Sequence, residues 1–282
     1  MRAEQLTDPI TFHGEGPVFA ASWGGLRLVD LFAGDVLSLA DDGTVTRRHV
    51  DSIAAALRPR VGGGAVIALE RGFALEDADG TLTRLPEVWA DPSVRMNDGG
   101  AAPDGSFYCG SMAYDQRTGA GSLYRLAPDA SVHLAVAGVT ISNGLAWSPD
   151  GSLAYYNDTP TGRIGVFDWT PETGLTGLRT FVDIPSTDGY PDGLTVDGEG
   201  GVWVALYAGG AVRRYAPNGT LDEVIEVAAH RVTACTFGGD DLRRLFITTS
   251  REGLAPGEDP LAGSIFSVTP GVAGLPVAPF AG

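Results

Sequence analysis

The chain has 282 residues, 44% hydrophobic and 9% aromatic, with a formal net charge of −16. That length supports a large core, and the acidity leaves neither the basic footprint nucleic acid needs nor a basic patch for an anionic membrane. No run of 18 apolar residues occurs, and Met1–Phe12 lacks the apolar centre of a secretory leader, so a cytoplasmic protein with no nucleic-acid and no membrane partner is expected.

In chain order, the first polar-then-apolar stretch is Glu15-Gly16-Pro17-Val18-Phe19-Ala20, followed by the strand-like runs Leu26–Asp30, Val36–Leu39 and Thr44–Thr46 with turn residues between them. A weaker copy at Ile53–Leu57 leads to Ala65–Leu69 and Phe73–Leu75. Asn97–Gly105 leads to Phe107–Gly110 and Gly121–Leu126. Asn143–Gly151 leads to Leu153–Tyr156 and Gly162–Asp168. Asp192–Gly200 leads to Val202–Ala205 and Ala211–Tyr215. Thr233–Asp240 leads to Leu245–Thr249 and Gly263–Val268. Asn97, Asn143 and Asp192 are each followed, seven residues on, by an acid and then Gly. A short apolar run closing on Asp-Gly or Glu-Gly reads as a strand entering a tight turn, because Gly supplies the positive φ.

Six copies at spacings of roughly 40–50 residues match the blade length of a propeller. No helical period persists, and no linker interrupts the pattern. Residues 1–282 are therefore expected to form a single all-β domain, a six-bladed propeller of four-stranded blades, and a monomer. Cys109 and Cys235 lie in apolar runs and need no disulfide. Two lengthened connections, Ser111–Ala120 and Arg251–Leu261, are candidates for specificity loops, the second equally readable as a plain surface insertion.

In a propeller the first polar residue of each copy converges on the central channel. Glu15, Asn97, Asn143 and Asp192 would then face one another. Two buried carboxylates repel unless something neutralises them, and a divalent cation does so. Carboxylate and amide oxygens favour hard cations, Ca²⁺ first, with Mg²⁺ and Mn²⁺ open. Asn-Gly and Asp-Gly are also ordinary turn chemistry, but four registered copies argue for a site. His13 lies two residues before Glu15 and reads as a strand residue facing elsewhere. No nucleophile elbow, zinc-protease motif or phosphate loop occurs.

Gly14-Glu15-Gly16-Pro17, Arg95-Met96-Asn97-Asp98-Gly99, Gly110-Ser111-Met112-Ala113, Ile141-Ser142-Asn143-Gly144-Leu145-Ala146-Trp147, Pro191-Asp192-Gly193-Leu194 and Cys235-Thr236-Phe237-Gly238-Gly239 occur in this order. With Gly263–Phe266 and Phe280–Gly282 they resemble the SMP-30/gluconolactonase/LRE family, regucalcin-like proteins and bacterial sugar lactonases among it. The resemblance implies one divalent metal, Ca²⁺ or else Zn²⁺, Mn²⁺ or Mg²⁺, held by Glu15, Asn143 and Asp192. It implies Arg95, Asn97 and Asp115 as substrate-binding residues, Asp115 standing where the family often has Glu. The implied activity is gluconolactonase-like hydrolysis of a sugar lactone to the aldonic acid, with Asp192 as the catalytic base and cation-activated water as the alternative. An esterase or organophosphate hydrolase on the same scaffold, or a non-catalytic calcium-binding regulatory propeller, are the other function classes.

Overall fold

Short apolar runs punctuated by Gly, Pro and Asp bury no face alone, so they pair as hairpins and stack sheet on sheet. A computed structural model describes all residues from Met1 to Gly282. It places the runs in six four-stranded antiparallel sheets arranged as a ring, a six-bladed β-propeller. Blades one to six begin with the innermost strands Gly14–Ala20, Ala54–Pro59, Val94–Ala101, Ser142–Trp147, Tyr190–Val196 and Val232–Gly238. These are the six stretches the repeat register singles out. Helical structure is limited to three-residue 3-10 turns such as Ala21–Trp23 and Thr159–Thr161.

The turn chemistry is as the sequence suggests. After the third inner strand, Asp104 Oδ1 accepts the Ser106 N–H at 3.0 Å and Gly105 takes φ +80°. After the fourth, Asp150 Oδ1 accepts the Ser152 N–H at 3.0 Å and Gly151 takes φ +72°. One local device thus ends equivalent strands in different blades.

Five blades are built from consecutive strands. The sixth takes Val232–Gly238, Arg244–Thr249 and Phe266–Val268 from the far end of the chain and its outer strand, Glu4–Gln5, from the beginning. Glu4 pairs with Ser267 and Gln5 with Phe266. The C-terminal segment then crosses one face of the ring. Phe280 N–H donates to Pro59 O at 2.7 Å and Ala281 N–H to Gly105 O at 2.9 Å. On the way, Leu275–Ala278 line that mouth of the central channel.

The core lies between neighbouring sheets. Phe73, Met96 and Phe107 fill the space between blades two and three, and Tyr108, Trp147 and Tyr156 the space between three and four. Trp203, Ile225, Phe237 and Leu245 join blades five and six. Each large side chain buried this way contributes about 1.5–3 kcal/mol. Cys109 and Cys235 are buried and free, and sit in two different layers. Layers of this kind hold the inner strands rigidly, which is what a site assembled from five separate blades requires.

Candidate functional site

All six innermost strands carry a register shift against their second strand. The shifts fall between Glu15 and Val18, Ala54 and Ala56, Met96 and Gly99, Ser142 and Leu145, Pro191 and Leu194, and Val232 and Ala234. A bulge bends its strand and re-aims a side chain. Here it does so at the level of Glu15, Asn97, Asn143 and Asp192, all of which are buried and line one cavity of about 540 Å³. Blade two contributes Ala-Ala-Ala at this level and no cavity residue.

Glycine follows Asn143 and Asp192 for a packing reason rather than a turn, whereas Gly16 after Glu15 takes φ +51°. A Cβ on Gly144 would lie 2.5 Å from Leu194 N and 2.7 Å from Asp192 O. One on Gly193 would lie 2.5 Å from the Ala234 Cβ. The inner strands of blades four, five and six therefore close on one another at these glycines. Gly144→Ala is expected to push the Asp192 strand outward and to lower unfolding free energy by about 1–3 kcal/mol, as overpacking does. Urea denaturation checks this, and an unchanged midpoint would show that the strands yield at no cost.

The chain is pinned just before two of these strands. Asp30 accepts the N–H groups of Phe12 and His13, both at 3.0 Å, ahead of Glu15. Asp158, at the equivalent place in blade four, accepts Thr140 N–H at 3.1 Å and Ile141 N–H at 2.9 Å ahead of Asn143. Asn143 Nδ2 donates to Thr159 Oγ1 at 2.7 Å, and Thr159 Oγ1 in turn donates to Pro191 O at 2.8 Å, beside Asp192. Asn97 Nδ2 donates to Asn143 Oδ1 at 2.8 Å and to Ser142 O at 2.9 Å. Arg95 Nη1 donates to Asn97 Oδ1 at 2.7 Å. Arg95, Asn97, Asn143 and Thr159 thus form one hydrogen-bonded line from blade three to blade five.

The carboxylates are the unsatisfied part of the site. Asp192 Oδ1 is buried with no hydrogen-bond partner. Glu15 Oε2 accepts only its neighbour's N–H, from Gly16 at 3.1 Å, and Glu15 Oε1 lies 3.8 Å from His13 Nε2. Burial pushes both acids well above the usual carboxylate range, with repulsion from Asp98 adding to it for Glu15 and repulsion from Glu15 adding to it for Asp192. Burial, helped by Arg95 and Arg231, pushes the His13 ring down to about 3, so it stays neutral and shares a hydrogen with Ser250 Oγ at 2.6 Å. No cluster of three His, Cys, Asp or Glu side chains has metal-holding geometry, so a cation here depends on the Asn143 amide as well as on the two acids. An orphaned carboxylate oxygen beside a second acid and an oriented amide fits a hard divalent cation.

Of the residues expected at the site, Glu15, Arg95, Asn97, Asn143 and Asp192 line the cavity together. Asp115 does not line it. Its side chain is exposed and paired with Arg117 at 3.0 Å, and its neighbour Gln116 reaches the cavity instead. His13 faces the cavity, against the expectation that it points elsewhere. The signal was present, because residues two apart on a strand share a face, as Arg95 and Asn97 do. The loop after Arg251 supplies Glu252 and Gly253, and blades five and six add Tyr207 and Arg231. These residues lie outside the repeated register.

The family described as SMP-30/Gluconolactonase/LRE-like region matches residues 13–251. Regucalcin of Danio rerio is 36% identical over 274 residues, which are 93% of this chain and 92% of that protein. A calcium-binding regucalcin from Agrobacterium tumefaciens superposes with a TM-score of 0.93 at 30% identity, over 99% of this chain and 97% of that one. A gluconolactonase from Xanthomonas campestris superposes with a TM-score of 0.76 at 26% identity, over 93% and 87%. The ring of six blades, the convergent polar side chains and these similarities agree, and the chain belongs to the SMP-30/gluconolactonase/LRE-like family.

Proposed function

We propose that the chain hydrolyses a sugar lactone to its aldonic acid with the help of one divalent cation, Ca²⁺ by the chemistry of its donors. The observation that carries this reading is the partnerless Asp192 Oδ1, buried opposite Glu15 in a cavity large enough for a small polyol. Glu15, Asn143 and Asp192 are the residues that would hold the cation. When bound, it polarises the ring carbonyl and offsets the charge that develops on its oxygen. The similarity to a gluconolactonase supports lactone hydrolysis, and the similarity to a calcium-binding regucalcin supports the choice of ion.

The remaining work falls to the protein. Asp192 accepts a proton from water as its oxygen adds to the carbonyl carbon. The ring C–O bond then breaks, and the proton passes to the departing ring oxygen. Asn97 holds Asn143 and Arg95 in place, and the free lone pair of its Oδ1 serves a substrate hydroxyl. Arg95 lies between the rings of Phe32 and Tyr114, 5.2 and 5.8 Å from their centroids, and its Nε has no protein partner. It is thus a fixed donor fork for the sugar. Gln116 reaches the same cavity, with Asp115 beside it at the rim.

Arg95→Ala is expected to lower kcat/KM for sugar lactones by about ten- to a hundredfold, the cost of losing charged hydrogen bonds. Cation affinity, read by calorimetry, should change much less, because Arg95 touches the ligands only through Asn97. The test of the function itself is a screen of sugar 1,4- and 1,5-lactones in a pH-stat, with Ca²⁺, Mn²⁺, Zn²⁺ and Mg²⁺ added in turn after chelation. Absence of acid release with every ion and lactone would overturn the reading.

A further inference from the structure

All nineteen basic residues are arginine. Most of them reach a carboxylate, as Arg47 reaches Asp35 at 2.6 Å and Arg214 reaches Asp197 at 2.7 Å. Of the arginines that form no ion pair, Arg95 is buried, Arg58 and Arg231 are half-buried, and the rest are exposed. Arg58 lies at the far mouth of the channel and donates to Leu57 O and Gly99 O, with the Asp98 charge nearby. Arg95 and Arg231 are left, and both line the cavity of the proposed site. They come from blades three and six, which stand opposite each other in the ring.

A guanidinium drawn wholly or partly out of water with no ion-pair partner gains from a ligand that completes it. The charges around the cavity do not complete these two. Glu15 and Asp192 would be taken up by the proposed cation. His13 is neutral. Glu252 lies within ion-pair distance of neither arginine, and its nearest basic group is His13 Nδ1 at 3.6 Å. With a divalent cation bound, the cation, Arg95 and Arg231 together outweigh Glu15, Asp192 and Glu252 on the cavity wall, in a chain of net charge −16.

Arg231 is also held ready to donate. Its Nη1 donates to Tyr207 Oη at 3.0 Å and its Nη2 to Gly253 O at 3.3 Å. Its guanidinium lies over the Tyr207 ring, 5.5 Å from the centroid. Two of five N–H donors are spent, and three remain. Tyr207, its oxygen already accepting from Arg231, has its own O–H free to donate into the cavity.

We propose that the substrate is a lactone carrying a carboxylate at the end remote from the ring carbonyl, and that Arg231 with Tyr207 binds this carboxylate. This deepens the lactonase reading and rests on it. With the carbonyl at the Glu15–Asn143–Asp192 ligands and the ring hydroxyls at Arg95, the far end of a six-carbon acid points to the opposite blade. A charged terminus there gives the half-buried Arg231 the ion-pair partner it lacks. A neutral hydroxymethyl group does not. Tyr207 stays protonated, because burial pushes its hydroxyl up to about 12.

The test uses the Ca²⁺-loaded protein and matched 1,4-lactones of gluco, galacto and manno configuration. Each pair differs only in hydroxymethyl against carboxylate at C6. The expected result is a higher kcat/KM for the carboxylated member in at least one pair. Arg231→Gln should lower the ratio of the two values by about ten- to a hundredfold, the range for a hydrogen-bonded charge. Arg231→Lys, which keeps the charge but not the fork, should fall between. Preference for the neutral member in every pair, or an equal loss on both members in Arg231→Gln, overturns the proposal. Calorimetry with the open-chain hexarates and hexonates reads the same contact without turnover. If no lactone is hydrolysed the lactonase reading fails, and hexarate binding lost in Arg231→Gln still upholds the anion site. Equal or absent binding of the two acids sinks that site too.

Discussion

Asp192→Asn is expected to leave kcat about 10²- to 10⁴-fold below the wild type even at saturating cation, the usual cost of losing a general base. Asn keeps the shape and one oxygen donor but has neither the charge nor the basicity. Asn143→Ala is the matching control. It removes a neutral ligand held by Asn97 at 2.8 Å and by Thr159 at 2.7 Å, and no base. Its activity should recover much further as cation is raised. Steady-state kinetics across a Ca²⁺ titration distinguish the two variants. If saturating Ca²⁺ rescues both equally, Asp192 is a ligand only, and the proton must leave the water by another route.

Chelation is expected to abolish hydrolysis and to lower thermal stability together. Without a cation, Glu15 and Asp192 face each other buried and short of partners, and both are pushed toward the protonated form. A cation that binds only the folded chain stabilises it by about 2.7 kcal/mol at a hundred times its dissociation constant. Scanning calorimetry with EDTA and then excess Ca²⁺ should show that shift in the wild type. In Glu15→Gln it should be largely lost, because the amide keeps the shape but cannot balance the cation's charge. Full activity and an unchanged melting temperature in demonstrably metal-free protein would refute the ligand assignment.

The ring and the level of its channel-facing polar residues are legible in the sequence because a propeller writes the same instruction six times. A polar residue, a short apolar run and Asp-Gly recur in register, so the level of Glu15, Asn97, Asn143 and Asp192 can be read without coordinates. What repetition does not encode was not legible. Glu4–Gln5 is too short to show a strand period, so its closing of blade six could not be read. The role of Gly144 and Gly193 looked like turn chemistry, whereas the structure shows a close approach of neighbouring strands, a property of pairs of blades. Tyr207, Arg231 and Glu252 enter the cavity from strand ends and a loop that differ from blade to blade. Asp115 illustrates the same limit, since its loop brings Gln116 into the cavity and leaves Asp115 paired with Arg117.

The borrowed outer strand of blade six also sets the order in which the molecule is finished. The partners Glu4 and Ser267 are about 260 residues apart, and bringing such distant points together costs about 5 kcal/mol of chain entropy by the loop-closure relation. Hairpins within a blade form across a few residues and face no such cost. On a ribosome the first blade can be complete long before the partner of Glu4–Gln5 exists. Until that partner arrives, the edge at Phe266–Val268 and the loose N-terminal segment are both open to pairing with another copy. The final hydrogen bonds therefore act as a late latch. Completion of the ring is thus expected at this seam in blade six, and the part of the site supplied by blades one and six is expected to become rigid with it.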